Sequence, residues 1–223
     1  MKTRLCITIL SLVISSAAMS QITFGVQAGA VLSKPSTKVS TDFGTEIKPD
    51  SRFGFSGGLI ADIPFGDEPL RMMPELKFVQ KGAKYNFATT FLGQNIKLEG
   101  NSNVNYVELP VNLAYAFKLG DNKLFVGAGP YAAYGLSGKN KATGSVNGEP
   151  AEETSEDVKF GSEEGQMKRF DYGGNLMVGY FMKSGLMFKA NYTRGFADLS
   201  NGNDEKYNNS YFGLSLAYFI NRN

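Results

Sequence analysis

The sequence predicts an all-β protein, an eight-stranded antiparallel up-and-down transmembrane β-barrel with short periplasmic turns and long extracellular loops. Three observations carry this expectation. Apolar residues alternate with others in eight separate segments. The charged residues of those segments fall in the opposite phase from the apolar ones. The connections alternate long and short, in order about 20, 6, 25, 4, 33, 3 and 15 residues, as tight turns on one side of a membrane and long loops on the other require. A soluble barrel or sandwich also alternates, but has no reason to sort its connections by length.

Residues 1–20 read as a secretory signal peptide. Lys2 and Arg4 precede an apolar run from Leu5 to Ile14, and Ala18 and Ser20 are the small residues flanking a cut before Gln21. Residues 21–223 are then one domain. The only cysteine, Cys6, lies in the discarded segment, so neither disulfide nor thiol chemistry is expected. Without Lys2 and Arg4, the 23 basic residues become 21 against 21 acidic ones. A neutral chain with no basic arm gives no reason to expect nucleic acid as a partner.

The strands follow in order. The first, from Ile22 to Leu32, has Phe24, Val26 and Ala28 on its apolar face, and the second has Phe53, Phe55, Leu59 and Ile63. The third gives Leu70, Met72, Leu76 and Phe78, and the fourth Val107, Leu109, Val111, Leu113, Tyr115 and Phe117. Leu124 and Val126 mark the fifth and weakest. Phe170, Tyr172, Leu176 and Val178 mark the sixth, Leu186, Phe188 and Tyr192 the seventh, and Phe212 to Ile220 the eighth. Opposite these faces lie Asp62, Arg71, Glu75, Lys77, Glu108, Asn112, Asp171, Asn175 and Lys189. Apolar faces of this kind belong in lipid, and closure of the barrel satisfies every strand edge there. The stretch at 137–167 is polar, acidic toward its second half, and is expected to be a long loop, mobile at its tip.

Three prolines fall inside the pattern. Counting back from Leu119 opposite Asn122 places Phe117 opposite Leu124, Pro110 opposite Tyr131 and Pro130 opposite Val111, with Pro74 one strand earlier. Proline cannot donate to a ladder, so an irregularity is expected at Pro110 and Pro130.

The phrases "PELKFVQKGAKY" and "YVELPVNLAYAF", with "FVGAGPYAAY", "FDYGGNLMVGYF" and the closing "YFGLSLAYFI", resemble the outer-membrane β-barrel domain family common in Bacteroidetes, the porin-like or PorT-like small barrels. The resemblance covers essentially the whole mature chain. It implies a bacterial outer-membrane location, insertion by the barrel-assembly machinery, and outer-membrane lipid around the barrel. For activity it implies little.

Candidate chemistry is narrowed by composition. The chain has no histidine, which removes Ser–His, Cys–His and histidine-based zinc sites. Glu75, Glu108 and Asp171 face inward, but an eight-stranded lumen is filled by side chains, and these carboxylates are expected to pair with Lys77, Lys189 and each other. The acidic loops lack the spacing of an EF-hand, and no phosphate-cradling loop is present. No cofactor, no metal and no catalysis are expected. The function expected is a non-enzymatic barrel whose loops serve envelope integrity, adhesion or docking of an envelope protein. The alternatives are a secretion or transport accessory, a narrow porin, and a lipid- or ligand-binding barrel.

Overall fold

Alternation of this kind folds as strands because successive side chains point to opposite sheet faces, so each strand offers lipid one apolar face and the interior one polar face. The structure, a computed structural model, describes residues 22–37, 39–40, 46–47, 49–65, 69–91, 93–201 and 206–220. The signal-peptide segment at 1–20 lies outside the described residues, as does part of the loop at 198–205.

Eight strands form the barrel: β1 (Thr23–Ser33), β2 (Arg52–Pro64), β3 (Leu70–Phe91), β4 (Gln94–Leu119), β5 (Asn122–Val146), β6 (Phe170–Phe181), β7 (Leu186–Gly195) and β8 (Ser210–Ile220). Each pairs antiparallel with the next. The ring closes through β8 and β1, where Phe24 meets Ile220 and Ser33 meets Tyr211. This is an up-and-down barrel. Its outer surface carries Phe53, Leu59, Leu176, Phe188 and Leu214, each more than half exposed. In water such a surface would aggregate; in a bilayer it is matched.

Inside, apolar side chains form two clusters. At the end with the short turns, Ile60, Met73, Phe125, Met177, Phe181 and Phe219 pack together. Phe181 sits edge-on to Phe125 at 6.1 Å and tilted against Phe219 at 5.3 Å. Toward the other end Val31, Val79, Val104, Tyr106, Tyr131 and Tyr211 form a second cluster, covered by Val158, Phe160 and Met167.

Two expectations about the loops are corrected. The chain between the third and fourth strands is not a loop: β3 runs for 22 residues and β4 for 26, paired to their tips at Phe91 and Gln94. Nor is 137–167 a loop throughout. β5 continues to Val146, turns at Asn147 and Gly148, and is followed by a further strand, Glu149–Asp157, paired back onto it. The four upper strands make one antiparallel sheet beyond the barrel. Above the membrane a strand needs no lipid-facing apolar row, so hydropathy alternation fades there while backbone pairing continues.

The prolines lie on a diagonal across three strand pairs. The β2–β3 ladder steps from Ile60–Glu75 to Ile63–Met72, passing over Pro74. The β3–β4 ladder steps from Pro74–Val111 to Lys77–Glu108, passing over Pro110. The β4–β5 ladder steps from Pro110–Tyr131 to Leu113–Ala128, passing over Pro130. Each proline keeps a paired neighbour on one side and interrupts the ladder on the other, because its ring removes the one backbone donor it would have offered. Gly129 lies in the last gap, where a Cβ would run into the Val111 carbonyl. The backbones approach closely there, and only glycine fits.

Candidate functional site

Between the two apolar clusters the lumen holds one chain of alternating charges. Lys189 Nζ lies 2.6 Å from Glu75, and Lys77 Nζ lies 3.4 Å from both Glu75 and Glu108. Lys81 Nζ lies 2.7 Å from Glu108 and 3.3 Å from Asp171. Three cations and three anions, all at most 5 % exposed, leave no net charge in the string. Neighbouring groups complete it. Gln27 donates to Glu75 at 2.8 Å and accepts from Lys189 at 2.8 Å. Tyr211 donates to Glu108, and Asn209 donates to Asp171 at 2.9 Å. Satisfying both partners in this way is what makes buried ion pairs tolerable.

Lys81 sits next to the Asp171 end of the string. Its ammonium lies 4.8 Å from the ring of Tyr106, 5.0 Å from Tyr131 and 5.3 Å from Tyr211. Three aromatic faces and two carboxylates therefore surround one cation, each face adding about 0.5–2 kcal/mol of attraction where water is excluded. A separate neutral network holds Asn112 and Asn175: Asn175 donates to Asn112 at 2.8 Å and accepts from Thr193 at 2.7 Å.

Glu75, Lys77, Glu108, Asn112, Asp171, Asn175 and Lys189 are all buried in the structure. Glu75, Lys77, Glu108, Asp171 and Lys189 join Lys81 in the charge string, and Asn112 and Asn175 form the neutral network. Sequence reasoning missed Lys81, Gln27, Asn209 and Tyr211. The first two were within reach: Lys81 continues the inward phase of Lys77 and Val79, and Gln27 occupies the polar phase of β1. Asn209 precedes β8 and carries no such phase.

The outer mouth is built differently. Asn201 donates to the carbonyls of Gly161 and Gln166 at 2.9 and 3.0 Å, tying the β7–β8 connection to the segment that follows Asp157. Lys168 N donates to Leu199 at 2.9 Å, and Leu199 N to Tyr207 at 2.8 Å. Burial pushes the Asp198 carboxyl up, but the amides of Tyr207 and Ser200 and the Ser200 hydroxyl outweigh it and hold the group below the usual carboxylate range. Between these segments and the upper sheet opens a cleft of about 1050 Å³, with Tyr85, Ser102, Asn140, Glu156, Gln166 and Tyr207 among its walls. Among the described residues no group of three or more metal-ligating side chains converges.

Residues 16–201 match the family described as the outer membrane protein beta-barrel domain. No curated protein matches the chain. Among solved structures it is similar to Neisserial surface protein A, with 17% identity over 87% of this chain and 96% of that one and a TM-score of 0.37. It is similar to the attachment invasion locus protein Ail of Yersinia pestis, with 16% identity over 88% and 98% and a TM-score of 0.32. It is also similar to the outer membrane protein OprG of Pseudomonas aeruginosa, with 12% identity over 90% and 96% and a TM-score of 0.40.

Proposed function

Because the chain belongs to the outer membrane protein beta-barrel domain family, we propose that it is a closed, non-enzymatic scaffold of the bacterial outer membrane that holds a folded extracellular platform against a partner in adhesion or docking. One observation carries this reading. β3, β4 and β5 run on from a filled lumen into a four-stranded sheet beyond it, so the ordered surface lies outside the barrel and not within it. Rigid scaffolds that present their variable chemistry at one end concentrate function there.

Two features support the rest of the proposal. Two apolar clusters fill much of the lumen, which favours a support over a pore. Each inward carboxylate of the charge string is matched by a lysine, and the chain has no histidine, which favours a structural role over catalysis. Residues 1–20 serve in this reading as the cleaved export signal, and the barrel-assembly machinery inserts the mature chain.

The test trims the platform. Joining Lys84 to Asn101 and Lys139 to Asp157 by tight turns removes the upper sheet and leaves the membrane ring. The trimmed barrel should keep its heat-dependent shift in gel mobility and lose attachment to cells or to its envelope partner. Unchanged attachment would remove the docking role. Stable ion-selective conductance of the pure full-length protein in planar bilayers would remove the closed scaffold.

A further inference from the structure

The outer wall of the barrel changes chemistry at one level. Along β4 the outward side chains from Phe117 up to Val107 are apolar, and the next two are Asn105 and Asn103. At about 3.4 Å per residue and a lean of about 40°, Phe117 to Val107 rises about 26 Å, the height of an apolar band of about 25 Å. Asn105 therefore begins the headgroup layer. On β5 a bulge marks the same level: Tyr106 pairs with Gly135 and Asn105 with Ser137, which leaves Leu136 as the extra residue. Bulges re-aim the side chains beside them, and Leu136 and Ser137 are both exposed, one apolar and one polar, at the margin of the lipid.

A pocket of about 370 Å³ opens there. Asn103, Asn105, Ser137 and Lys139 line it, and the lumen-facing Val104 and Tyr106 between them do not, so it opens away from the barrel axis. Arg169 closes one side. Its Nη1 donates to the Gly135 carbonyl at 3.1 Å, and its guanidinium lies 4.7 Å from the Phe160 ring and 5.7 Å from that of Tyr134. These contacts hold the group in place and use one of its five N–H donors. Among the described residues no carboxylate pairs with it. Asn105 is spent, donating to Ser137 at 3.1 Å and accepting from Gln80 at 3.3 Å. Asn103 Oδ1 is buried and, among the described residues, accepts from nothing.

We infer that this pocket holds the phosphorylated sugar headgroup of an outer-leaflet glycolipid. Two phosphate oxygens match the open fork of Arg169, which binds such groups in a fixed orientation. Lys139 supplies a second cation; its 3.9 Å contact with Asp157 joins two exposed groups and is weak. A hydroxyl or amide N–H of the sugar gives Asn103 Oδ1 the donor that it lacks. Below the pocket the outward row of Leu136, Tyr134 and Phe170 is apolar and exposed, so acyl chains continue from the headgroup along the wall. That continuity selects a lipid over a free sugar phosphate. The volume lies at the lower end of the range of about 300–1,000 Å³ for ligand sites, which suits a headgroup and leaves the chains outside. The inference does not depend on the docking role.

The test is native mass spectrometry of the full-length protein released from micelles, with monophosphoryl lipid A, its dephosphorylated form, phosphatidylglycerol and glucosamine 1-phosphate as probes. One equivalent of monophosphoryl lipid A should be retained, and the other three should bind at least tenfold more weakly. Arg169→Gln should lower retention at least tenfold and Asn103→Ala several-fold. Lys97→Gln, which removes an exposed cation higher on β4, should change nothing. The heat-dependent gel shift checks folding, and Lys139→Gln with Asn103→Ala carries the test if Arg169→Gln does not fold. Failure to retain monophosphoryl lipid A, equal retention of phosphatidylglycerol or of the dephosphorylated form, or an equal loss with Lys97→Gln would overturn the site. Glucosamine 1-phosphate binding as tightly as the lipid would overturn the glycolipid.

Discussion

Lys81 Nζ and a Glu108 carboxylate oxygen lie 2.7 Å apart with both side chains withdrawn from solvent. This pair is the keystone of the lumen string, since Lys81 is the cation that joins Glu108 to Asp171. Lys81→Met leaves one negative charge in excess among buried groups. Breaking a buried pair from one side costs about 3–5 kcal/mol. The variant should unfold at correspondingly lower urea, followed by loss of the folded gel band in lipid vesicles. Lys81→Met combined with Glu108→Gln should recover part of the loss, because the charges again balance.

The diagonal of prolines should be the soft part of the wall. Backbone groups at 61–62, 73–76, 109–112 and 129–130 border interrupted ladders, whereas β7, β8 and β1 pair without a skip. Hydrogen exchange in micelles should be faster in peptides covering those four stretches than in peptides from β8. Uniform protection around the ring would contradict this.

The tip of the β5 hairpin depends on two positive φ angles, 52° at Asn147 and 89° at Gly148. Asparagine followed by glycine suits such a turn because both tolerate the left-handed region. Gly148→Val should cost about 1–2 kcal/mol locally and open the hairpin tip. Faster trypsin cleavage at Lys139 and Lys141, with an unaltered membrane ring, is the expected readout.

Acid should loosen the mouth before the barrel. The Asp198 carboxyl is held below its ordinary value by the Ser200 and Tyr207 amides. A depressed folded value means that its stabilisation is complete above the unfolded value of about 4 and is lost as pH falls through the folded one. Proteolysis of the β7–β8 connection by an acid-active protease should therefore rise below about pH 4, and Asp198→Asn should show the faster rate already at neutral pH.

Much of this fold is legible in the sequence, and the reason is the solvent. Lipid on one side and a crowded lumen on the other impose strict alternation, so Phe117 opposite Leu124 and Pro110 opposite Tyr131 follow from one short turn and a count. The same alternation sorts Glu75, Lys77, Glu108, Asp171 and Lys189 inward. It lapses where the bilayer ends. Between Lys84 and Asn101 polar and apolar residues mix, because neither sheet face meets hydrocarbon, and a length rule alone reads a loop. Only the Asn147–Gly148 turn betrayed the second hairpin.

The reach of β4 has a consequence for who can meet this protein. Its 26 residues at about 3.4 Å each span about 90 Å of chain. Leaning at about 40°, such a strand rises about 70 Å, against an apolar band about 25 Å tall. Tens of ångströms are left to clear the headgroups and the inner sugars of the cell coat. A large partner too bulky to touch lipid could still reach the tip.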